Sequence, residues 1–162
     1  MVRVVPTDPN QHCVAIRNLI QELANYERMP EGPKIGADQL KKDLLAKRCH
    51  SLVALDDTTD TVIGYAIYYY AYSTWEGPFI FMEDLYVTEK HRRDGVGSAL
   101  WRKIAETAKT ENLCRIEWSV LNWNKPALNF YARLGADDLN ETEGWLHYRL
   151  TKEKIHKFLD NP

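Results

Sequence analysis

The sequence predicts an α/β fold in which a single mixed, mostly antiparallel central sheet is flanked by helices. Segments rich in β-branched and aromatic residues alternate along the chain with segments whose apolar residues recur at helical spacing. A chain of 162 residues also has the length of one domain with a single core. We therefore expect one domain over residues 1–162, with the element order β-α-α-β-β-β-α-β-α-β.

The N-terminal part is predicted to contain one strand and two helices. The strand covers Arg3–Pro6, and apolar residues at helical spacing predict an amphipathic helix from Asn10 to Tyr26. Two glycines and a proline mark residues 31–36 as a loop. Ala37–Lys47 follows as a short second helix with leucines on one side.

Three strands joined by turns are expected next. Leu52–Leu55 is followed by a turn at Asp56–Asp60 and by the long strand Val62–Tyr72. Gly77–Pro78 then turns the chain into Phe79–Val87. The two long strands should therefore form an antiparallel hairpin.

The second half is predicted to begin with a glycine-containing loop, His91–Gly97, that opens directly into a helix over Ser98–Lys109. Apolar residues at four-residue spacing give this helix one buried face. The remaining predicted elements are a strand at Arg115–Leu121, a helix at Pro126–Leu134 with Gly135 as its C-cap, a last strand at Trp145–Leu150, and a short helix from Lys152.

Composition and charge narrow the classes of function. A net charge of −2 argues against a nucleic-acid-binding protein. The three cysteines have no C-x-x-C spacing and the five histidines no ligand spacing, so we expect neither a disulfide framework nor a metal site. The N-terminus has no long apolar segment, and the apolar-aromatic run at residues 65–72 is too short to span a membrane. We expect a soluble cytoplasmic protein without nucleic-acid or membrane partners.

The most informative stretch is the loop between the fourth predicted strand and the following helix. Gly95 and Gly97 allow a tight turn and close approach of a ligand. The unbonded N–H groups at a helix start attract phosphate oxygens, and Arg92 and Arg93 add positive charge. A Gly-x-Gly pair alone is equally compatible with a plain strand-to-helix turn. The chain has neither the third glycine of the dinucleotide fingerprint nor the Gly-Lys-Ser/Thr of a P-loop.

Two motifs in this order resemble the GNAT superfamily of N-acetyltransferases. The first is Arg92-x-x-Gly95-x-Gly97 after Glu83–Val87, and the second is Trp-Asn-x-Pro-Ala-x-Asn-Phe-Tyr-x-x-x-Gly-Ala over residues 123–136. The resemblance implies the GNAT acyl-CoA N-acetyltransferase fold, with acetyl-CoA as co-substrate. It implies that the strand backbone binds the pantetheine arm and the loop amides bind the pyrophosphate. The cofactor-binding residues it indicates are Leu85, Tyr86, Val87, Arg92, Arg93, Asp94, Gly95, Val96, Gly97, Ser98, Asn124, Lys125, Pro126, Ala127 and Tyr131.

Further segments resemble the diamine acetyltransferase group of that superfamily, which contains spermidine/spermine and thialysine acetyltransferases. They lie at residues 22–27, 68–75, 83–85 and 143–145 and extend the likeness over nearly the whole chain. Spermidine/spermine enzymes carry an acidic residue where this chain has Ser73, and the Ser-Thr-Trp pattern is closer to the thialysine enzymes. The resemblance favours thialysine, S-(2-aminoethyl)-L-cysteine, or a lysine-like primary amine, with spermidine or spermine as the alternative. It also implies a homodimer.

Acetyl transfer from a thioester to an amine requires deprotonation of the amine, polarisation of the carbonyl and protonation of the leaving thiolate. No cysteine lies in an activating motif, so direct attack in a ternary complex is favoured. Tyr131 is the candidate general acid, because a phenol is protonated at neutral pH; the alternative is an aromatic that only packs. Glu83 is the candidate to bind the amine and accept its proton through water. The alternatives for Glu83 are a solvated strand residue and a structural ion pair.

Carboxylates and aromatic side chains select cationic amines. The substrate-binding residues indicated by the resemblance are Tyr26, Glu27, Trp75, Glu83 and Glu143. Asp84 follows Glu83 in a strand, so alternation should direct it to the opposite face, where we expect a structural role. Asn124 binds the pantetheine arm or caps the next helix, and Trp75 lines the pocket or packs. The sequence is also compatible with a protein N-acetyltransferase and with a non-catalytic acetyl-CoA-binding scaffold.

Overall fold

The computed structural model describes residues 2–160. The chain forms two compact units, one up to Ser119 and one from Val120 onward. The first contains the sheet and three α-helices, and the second contains three further α-helices.

The first unit is built on one five-stranded sheet. Its strands are β1 (Val2–Pro6), β2 (His50–Asp56), β3 (Val62–Ser73), β4 (Gly77–Val87) and β5 (Ile116–Trp118). They lie in chain order; the first three pairings are antiparallel and the β4–β5 pairing is parallel. The predicted mixed, mostly antiparallel sheet is therefore confirmed, although β5 ends at Trp118 rather than at Leu121.

Helices cover both faces of this sheet. They are α1 (Cys13–Tyr26), α2 (Ala37–Leu45) and α3 (Val96–Thr110), with a 3-10 turn at Glu89–His91 before α3. On β3, Ala66 and Tyr68 pack with α3, whereas Tyr65 and Ile67 pack with α1 and α2. Successive strand residues point to opposite faces, so α3 lies on one face and α1 and α2 lie on the other.

The predicted apolar spacing of α3 is confirmed by its buried residues, which are Val96, Leu100, Ile104 and Ala108. Beneath this helix the sheet requires a glycine. A Cβ atom at Gly64 would lie 2.8 Å from the backbone oxygen of Tyr86 on β4. A larger residue there would force β3 and β4 apart.

The β3–β4 hairpin departs from the prediction in two places. Ser73 pairs with Gly77, so the turn is formed by residues 74–76 and Gly77–Pro78 already belongs to β4. The register also shifts inside the hairpin: Tyr68 pairs with Met82 and the preceding residue, Ile67, pairs with Asp84. Glu83 is consequently the extra residue of a β-bulge, in which side-chain alternation breaks down.

The second unit contains α4 (Lys125–Arg133), α5 (Leu139–Glu143) and α6 (Lys152–Asp160). Gly135 follows α4 with φ of +76°, just after the C-cap residue Leu134. The sequence prediction missed α5, although Asp138 caps it by accepting bonds from the N–H groups of Asn140 and Glu141.

The predicted strand at Trp145–Leu150 is wrong: this segment forms neither strand nor helix. A strand is stabilised by pairing with a neighbour, and among residues 2–160 no strand pairs with this segment. Its composition is strand-like, but Trp145 and Tyr148 are 60% and 84% exposed.

Candidate active site

The first feature of the site is an open edge along the second half of β4. Strand β5 pairs with β4 only at Ile80–Met82. In the part of the chain that the structure describes, no strand pairs with Glu83–Val87 on that side. Apart from the Val87 carbonyl, which accepts a hydrogen bond from Arg92, the backbone groups on that edge are available to an extended ligand, as in strand addition. Leu85, Tyr86 and Val87, predicted to bind a cofactor, lie here.

The second feature is the start of α3, directly after β4. Gly95 is its N-cap residue, with φ of +80°, and Arg93 is also left-handed, with φ of +72°. The N–H of Ala99 bonds the Gly95 carbonyl at 2.9 Å. The three preceding amides, of Val96, Gly97 and Ser98, have no carbonyl one turn earlier within the helix. This arrangement can bind an anion.

Two further features lie near this helix start. The Thr88 hydroxyl oxygen, at the end of β4, is buried and lacks a hydrogen-bond partner within residues 2–160. A shallow depression of about 370 Å³ lies between α3 and β1, toward the sheet edge opposite to the open edge of β4. It is lined by Val2, Val4, Gly95, Ser98, Ala99, Arg102, Lys103 and Glu106. Arg102 was not among the predicted cofactor-binding residues, although it follows Gly95 and Ser98 at the three- and four-residue spacing of one helix face.

Arg92 and Arg93 have different surroundings in the loop. The Arg92 Nε donates a 3.0 Å hydrogen bond to the Val87 carbonyl. Its guanidinium carbon lies 5.2 Å from the ring centre of Tyr26 and 5.4 Å from that of Tyr86. Arg93 and Asp94 are exposed in the loop. The guanidinium of Arg92 therefore contacts aromatic side chains of α1 and β4.

The third feature is a group of carboxylates on the α1 face of the sheet. The Tyr65 hydroxyl donates a 2.8 Å hydrogen bond to Asp84. Burial raises the pKa of the Asp84 carboxyl; the bond from Tyr65 opposes this rise, and the charge of Glu83 adds to it. Burial, followed by the charge of Asp84, also raises the pKa of Glu27 at the end of α1. Glu27 and Asp84 are therefore close enough to interact electrostatically.

The prediction that Asp84 faces away from Glu83 is wrong, and the bulge is the reason. Tyr65, Ile67 and Tyr69 alternate along β3 onto the α1 face, and Asp84 bonds Tyr65 on that face. Burial, and then the charge of Glu83, raise the pKa of Tyr69. Glu83 thus acts on the face that carries Asp84. Glu83 is exposed, and no ion pair involves it in the described chain. The structural ion pair is therefore not observed, whereas the solvated strand residue stays compatible with the structure.

Helix α1 is fastened to β4 beside this acidic group. The Tyr86 hydroxyl donates a 3.0 Å hydrogen bond to Glu22, one turn before Tyr26. Burial, followed by the bond to Glu22, raises the pKa of the Tyr86 hydroxyl. Because Tyr26 and Glu27 end α1, this bond helps to fix both of these predicted substrate-binding residues.

The hairpin tip carries two further predicted features. Ser73 Oγ accepts hydrogen bonds from the N–H groups of Trp75, at 3.2 Å, and Glu76, at 3.3 Å. Trp75 itself is 86% exposed, so it is not part of the core. The indole is therefore presented at the surface of the first unit.

The second unit carries the remaining predicted residues. Asn124 is the N-cap of α4, where its side chain accepts a 3.4 Å bond from the Ala127 N–H; Lys125 and Pro126 form the first turn. The helix-capping alternative for Asn124 is thus observed. Tyr131 lies on the same helix, and burial raises its pKa to about 12. Glu143, at the end of α5, accepts a 2.7 Å bond from the Trp145 indole N–H.

Residues 2–160 contain no group of three or more His, Cys, Asp or Glu side chains that could hold a metal ion. Nor does that range include a helix that is long and apolar enough to cross a bilayer. The cysteines Cys13, Cys49 and Cys114 are free.

An open strand edge, an amide-lined helix start and a nearby acidic group lie together in the first unit and are compatible with a site for acyl transfer. The acetyltransferase (GNAT) family model matches residues 14–136, so the chain belongs to this family and is an acyltransferase. The match includes β4, the loop after it and α4.

Individual relatives refine the placement within the family. A thialysine N-epsilon-acetyltransferase of Caenorhabditis elegans is 37% identical over 157 residues, covering 97% of this chain and 96% of the relative. A human spermidine/spermine N(1)-acetyltransferase-like protein 1 is 29% identical over 150 residues, which are 88% of this chain and 22% of that protein. The crystal structure of a probable acetyltransferase has the same fold, with a TM-score of 0.77, 22% identity, and coverage of 92% of this chain and 97% of the other.

Proposed function

We propose that this protein is an acetyl-CoA-dependent N-acetyltransferase that acetylates a primary amine of a small molecule, with thialysine or a lysine-like amine as the favoured substrate. One observation carries the proposal. Strand β4 carries Glu83 and Asp84 at its bulge and is followed, after the loop at residues 88–95, by the amide-lined start of α3. A site for a cationic acceptor and a site for a phosphorylated donor therefore lie on one continuous stretch.

The residues present fit the acetyl donor. The amides of Val96, Gly97 and Ser98 suit its pyrophosphate, and the open edge of β4 offers N–H and C=O groups to the amide-containing pantetheine arm. Arg93 and Arg102 add positive charge at the loop and along α3. The bound donor supplies an activated thioester carbonyl.

The carboxylates would bind and activate the amine. A protonated amine is attracted by the acidic group of Glu27, Glu83 and Asp84 because it relieves their mutual repulsion. Glu83 is exposed, so it can take a proton through water. The free amine then attacks the thioester directly, which forms the amide and releases the thiolate.

Tyr131 would stabilise the leaving sulfur. With a pKa of about 12, its hydroxyl stays protonated throughout the neutral range and can donate a hydrogen bond to the developing thiolate. A phenol of such high pKa is a weak acid, which favours hydrogen bonding early in the step over complete proton transfer. Asn124 fixes the start of the helix that carries Tyr131.

The substrate preference rests on the relatives and on one position. The relative with 37% identity over nearly the full length of both chains is named as a thialysine enzyme. Ser73 places a neutral hydroxyl at the hairpin tip, where a carboxylate would attract a long polycation. The 29% identity to a spermidine/spermine-like protein keeps a polyamine as the second candidate.

The organisation of the chain is part of the proposal. The family model runs from residue 14 to 136 and crosses the boundary at Ser119, which supports one N-acetyltransferase domain over residues 1–162. Exposed apolar side chains of the second unit suit a homodimer interface; they include Trp145, Leu146, Tyr148, Phe158 and Leu159.

Three free cysteines are compatible with a reducing, cytoplasmic compartment.

Release of free CoA thiol from acetyl-CoA, measured with thialysine, lysine, spermidine, putrescine and a peptide in parallel, tests this function. Enzyme without amine corrects for the protein's own thiols. Fast turnover of thialysine with slow turnover of spermidine is expected. Preference for spermidine would retain the enzyme class and reject the substrate. Binding of acetyl-CoA without turnover of any amine would support a non-catalytic scaffold.

A further inference from the structure

Arg92 connects three parts of the proposed site. Its backbone lies in the loop before α3, its Nε bonds the Val87 carbonyl of β4 at 3.0 Å, and its guanidinium lies over the ring of Tyr26 on α1. The ring of Tyr86 forms a second aromatic contact at 5.4 Å. Loop, strand and helix thus meet at a single side chain.

We propose that Arg92 is a positioning residue that couples the amine pocket to the loop that binds the acetyl donor. The proposal rests on the proposed function. Tyr26 and its neighbour Glu27 end α1, and Gly95 begins the anion site only three residues after Arg92. A change of position at either site is therefore transmitted through Arg92 to the other.

The chemistry of the contact requires arginine. A planar guanidinium can stack on aromatic rings while one of its N–H groups bonds a carbonyl, whereas a lysine ammonium is a compact charge without this planar face. The contact with Tyr86 is reinforced because the Tyr86 hydroxyl is itself bonded to Glu22. Both aromatic partners of Arg92 are therefore tied to α1, one by position and one by a hydrogen bond.

The loop itself needs such an anchor. Arg93 adopts a left-handed backbone with φ of +72°, which is unfavourable for a residue with a Cβ atom. Strained conformations persist where their surroundings hold them. Arg92 holds the loop from one side through Val87 and the two rings, so its loss should release the geometry that presents the α3 amides.

Coupling between two ligands is reciprocal, which makes the proposal measurable. If amine binding at Tyr26 and Glu27 stabilises the contact with Arg92, it also favours the loop geometry that binds the donor. The amine then tightens CoA binding by some factor, and CoA tightens amine binding by the same factor. An arginine that acts only as a phosphate ligand changes CoA affinity but leaves that factor unchanged.

The test is calorimetric titration of CoA into the full chain, with and without saturating thialysine. For the wild-type protein we expect thialysine to lower the Kd of CoA about fivefold or more, the usual range of allosteric coupling. For Arg92→Lys, which keeps the charge, and for Tyr26→Leu, which removes the ring, we expect the ratio of the two Kd values to approach one. The double variant should show no further loss.

Arg48→Lys is the matched control, because Arg48 is an exposed arginine that pairs with Asp43 of α2 and belongs to neither the loop nor α1. In this control, the ratio of the Kd values of CoA without and with thialysine should equal that of the wild-type protein. Thermal unfolding of each variant checks that the fold is intact. An unchanged ratio in Arg92→Lys, or no coupling in the wild-type protein, overturns the proposal. Absence of CoA binding or of acetyl transfer in the wild-type protein instead rejects the proposed function.

Discussion

The hydroxyl of Tyr65 donates a 2.8 Å hydrogen bond to the Asp84 carboxyl, on the face of the sheet that carries α1. Tyr65 is fully buried. Burial outweighs the stabilising bond, so the pKa of Asp84 lies above its usual value of 3.8. The folded protein therefore holds this proton more tightly than the unfolded chain does, and stability falls as pH rises from the usual pKa to the raised one.

Asp84→Asn should therefore stabilise the protein at pH 7. The asparagine oxygen can still accept the bond from Tyr65, while the cost of a buried charge disappears. We expect a gain on the order of 1 kcal/mol, or a rise in Tm of roughly 2–4 °C. Well below the usual pKa of 3.8 the aspartate is protonated in both states, so the gain should vanish there.

Thermal unfolding at pH 7 and at low pH checks this prediction, with the exposed Asp137→Asn as the matched control. Affinity for the amine should fall in the same variant, because one carboxylate of the acidic group is lost. A variant that is less stable than the wild-type protein at pH 7 would show that the charge of Asp84 is compensated in the fold.

Glu83→Gln removes the proposed proton acceptor without changing the size of the side chain. A general base contributes about 10²- to 10⁴-fold, so we expect kcat/KM to fall by about two orders of magnitude or more. Because Glu83 is exposed at the bulge, unfolding should be little affected.

The pH dependence of kcat/KM separates this role from simple substrate attraction. In Glu83→Gln the remaining kcat/KM should rise more steeply with pH, because the reaction then depends on amine that is already deprotonated in solution. The exposed Glu153→Gln on α6 is the control. A change confined to KM, with kcat intact, would assign Glu83 to binding alone.

Local patterns predicted most of the first unit. The four-residue spacing of Val96, Leu100 and Ile104 defines the buried face of α3, and strand-rich composition defines β2, β3 and β4. These signals are local. The position of the bulge is not, because it depends on how Ile67 and Tyr68 align with β4 across the hairpin. Strict alternation therefore placed Asp84 on the wrong face.

The same distinction explains the C-terminal segment. Trp145–Leu150 has strand-like composition, but pairing is a property of the neighbour and not of the segment. The motifs around Gly95 and Tyr131 could be recognised because a helix start and a helix-borne phenol depend on few residues. The contact between Arg92 and Tyr26 joins residues 66 positions apart in sequence, and no local pattern predicts it.

Tyr131→Phe tests the proposed hydrogen-bond donor. It removes the hydroxyl and keeps the ring on α4, so the KM for acetyl-CoA should change little while kcat falls by about 10²-fold or more. Because burial raises the Tyr131 pKa to about 12, the wild-type rate should not decline through ionisation of this group below about pH 11.

Tyr148→Phe is the matched control, since Tyr148 is 84% exposed on the same unit. Equal kcat values in Tyr131→Phe and the wild-type protein would contradict a catalytic role. Tyr131 would then be an aromatic residue that only packs.

Replacing Gly64 or Gly95 by alanine should destabilise the protein for two different reasons. At Gly64 the new Cβ atom would meet the Tyr86 backbone oxygen at 2.8 Å. We expect a loss of about 1–3 kcal/mol in stability, as for other overpacked sites. At Gly95 there is space around the Cβ position, but φ is +80°, so the cost is backbone strain of roughly 1–2 kcal/mol at the α3 start.

Thermal unfolding and the KM for acetyl-CoA distinguish the two substitutions. Gly64→Ala should lower Tm more than Gly95→Ala does, and it should raise the KM for acetyl-CoA less, because its clash lies between β3 and β4 and not at the α3 amides. Gly95→Ala should raise that KM about tenfold, because the α3 amides lose their alignment. A normal KM in Gly95→Ala would argue that the helix start does not bind the donor.

Ser73→Asp tests the substrate preference at a position where the fold tolerates the change. The Ser73 hydroxyl accepts bonds from the N–H groups of Trp75 and Glu76, and an aspartate carboxylate can accept the same bonds in an Asx-type turn. The hairpin tip should therefore keep its shape while gaining a negative charge. We expect the ratio of kcat/KM for spermidine to that for thialysine to rise about five- to tenfold. Added salt should reduce this rise in the ratio, because the new carboxylate lies at an exposed tip and salt screens its attraction for spermidine. Ser73→Asn, which preserves the turn without the charge, is the control. If both variants shift the ratio equally, shape and not charge at this position selects the amine.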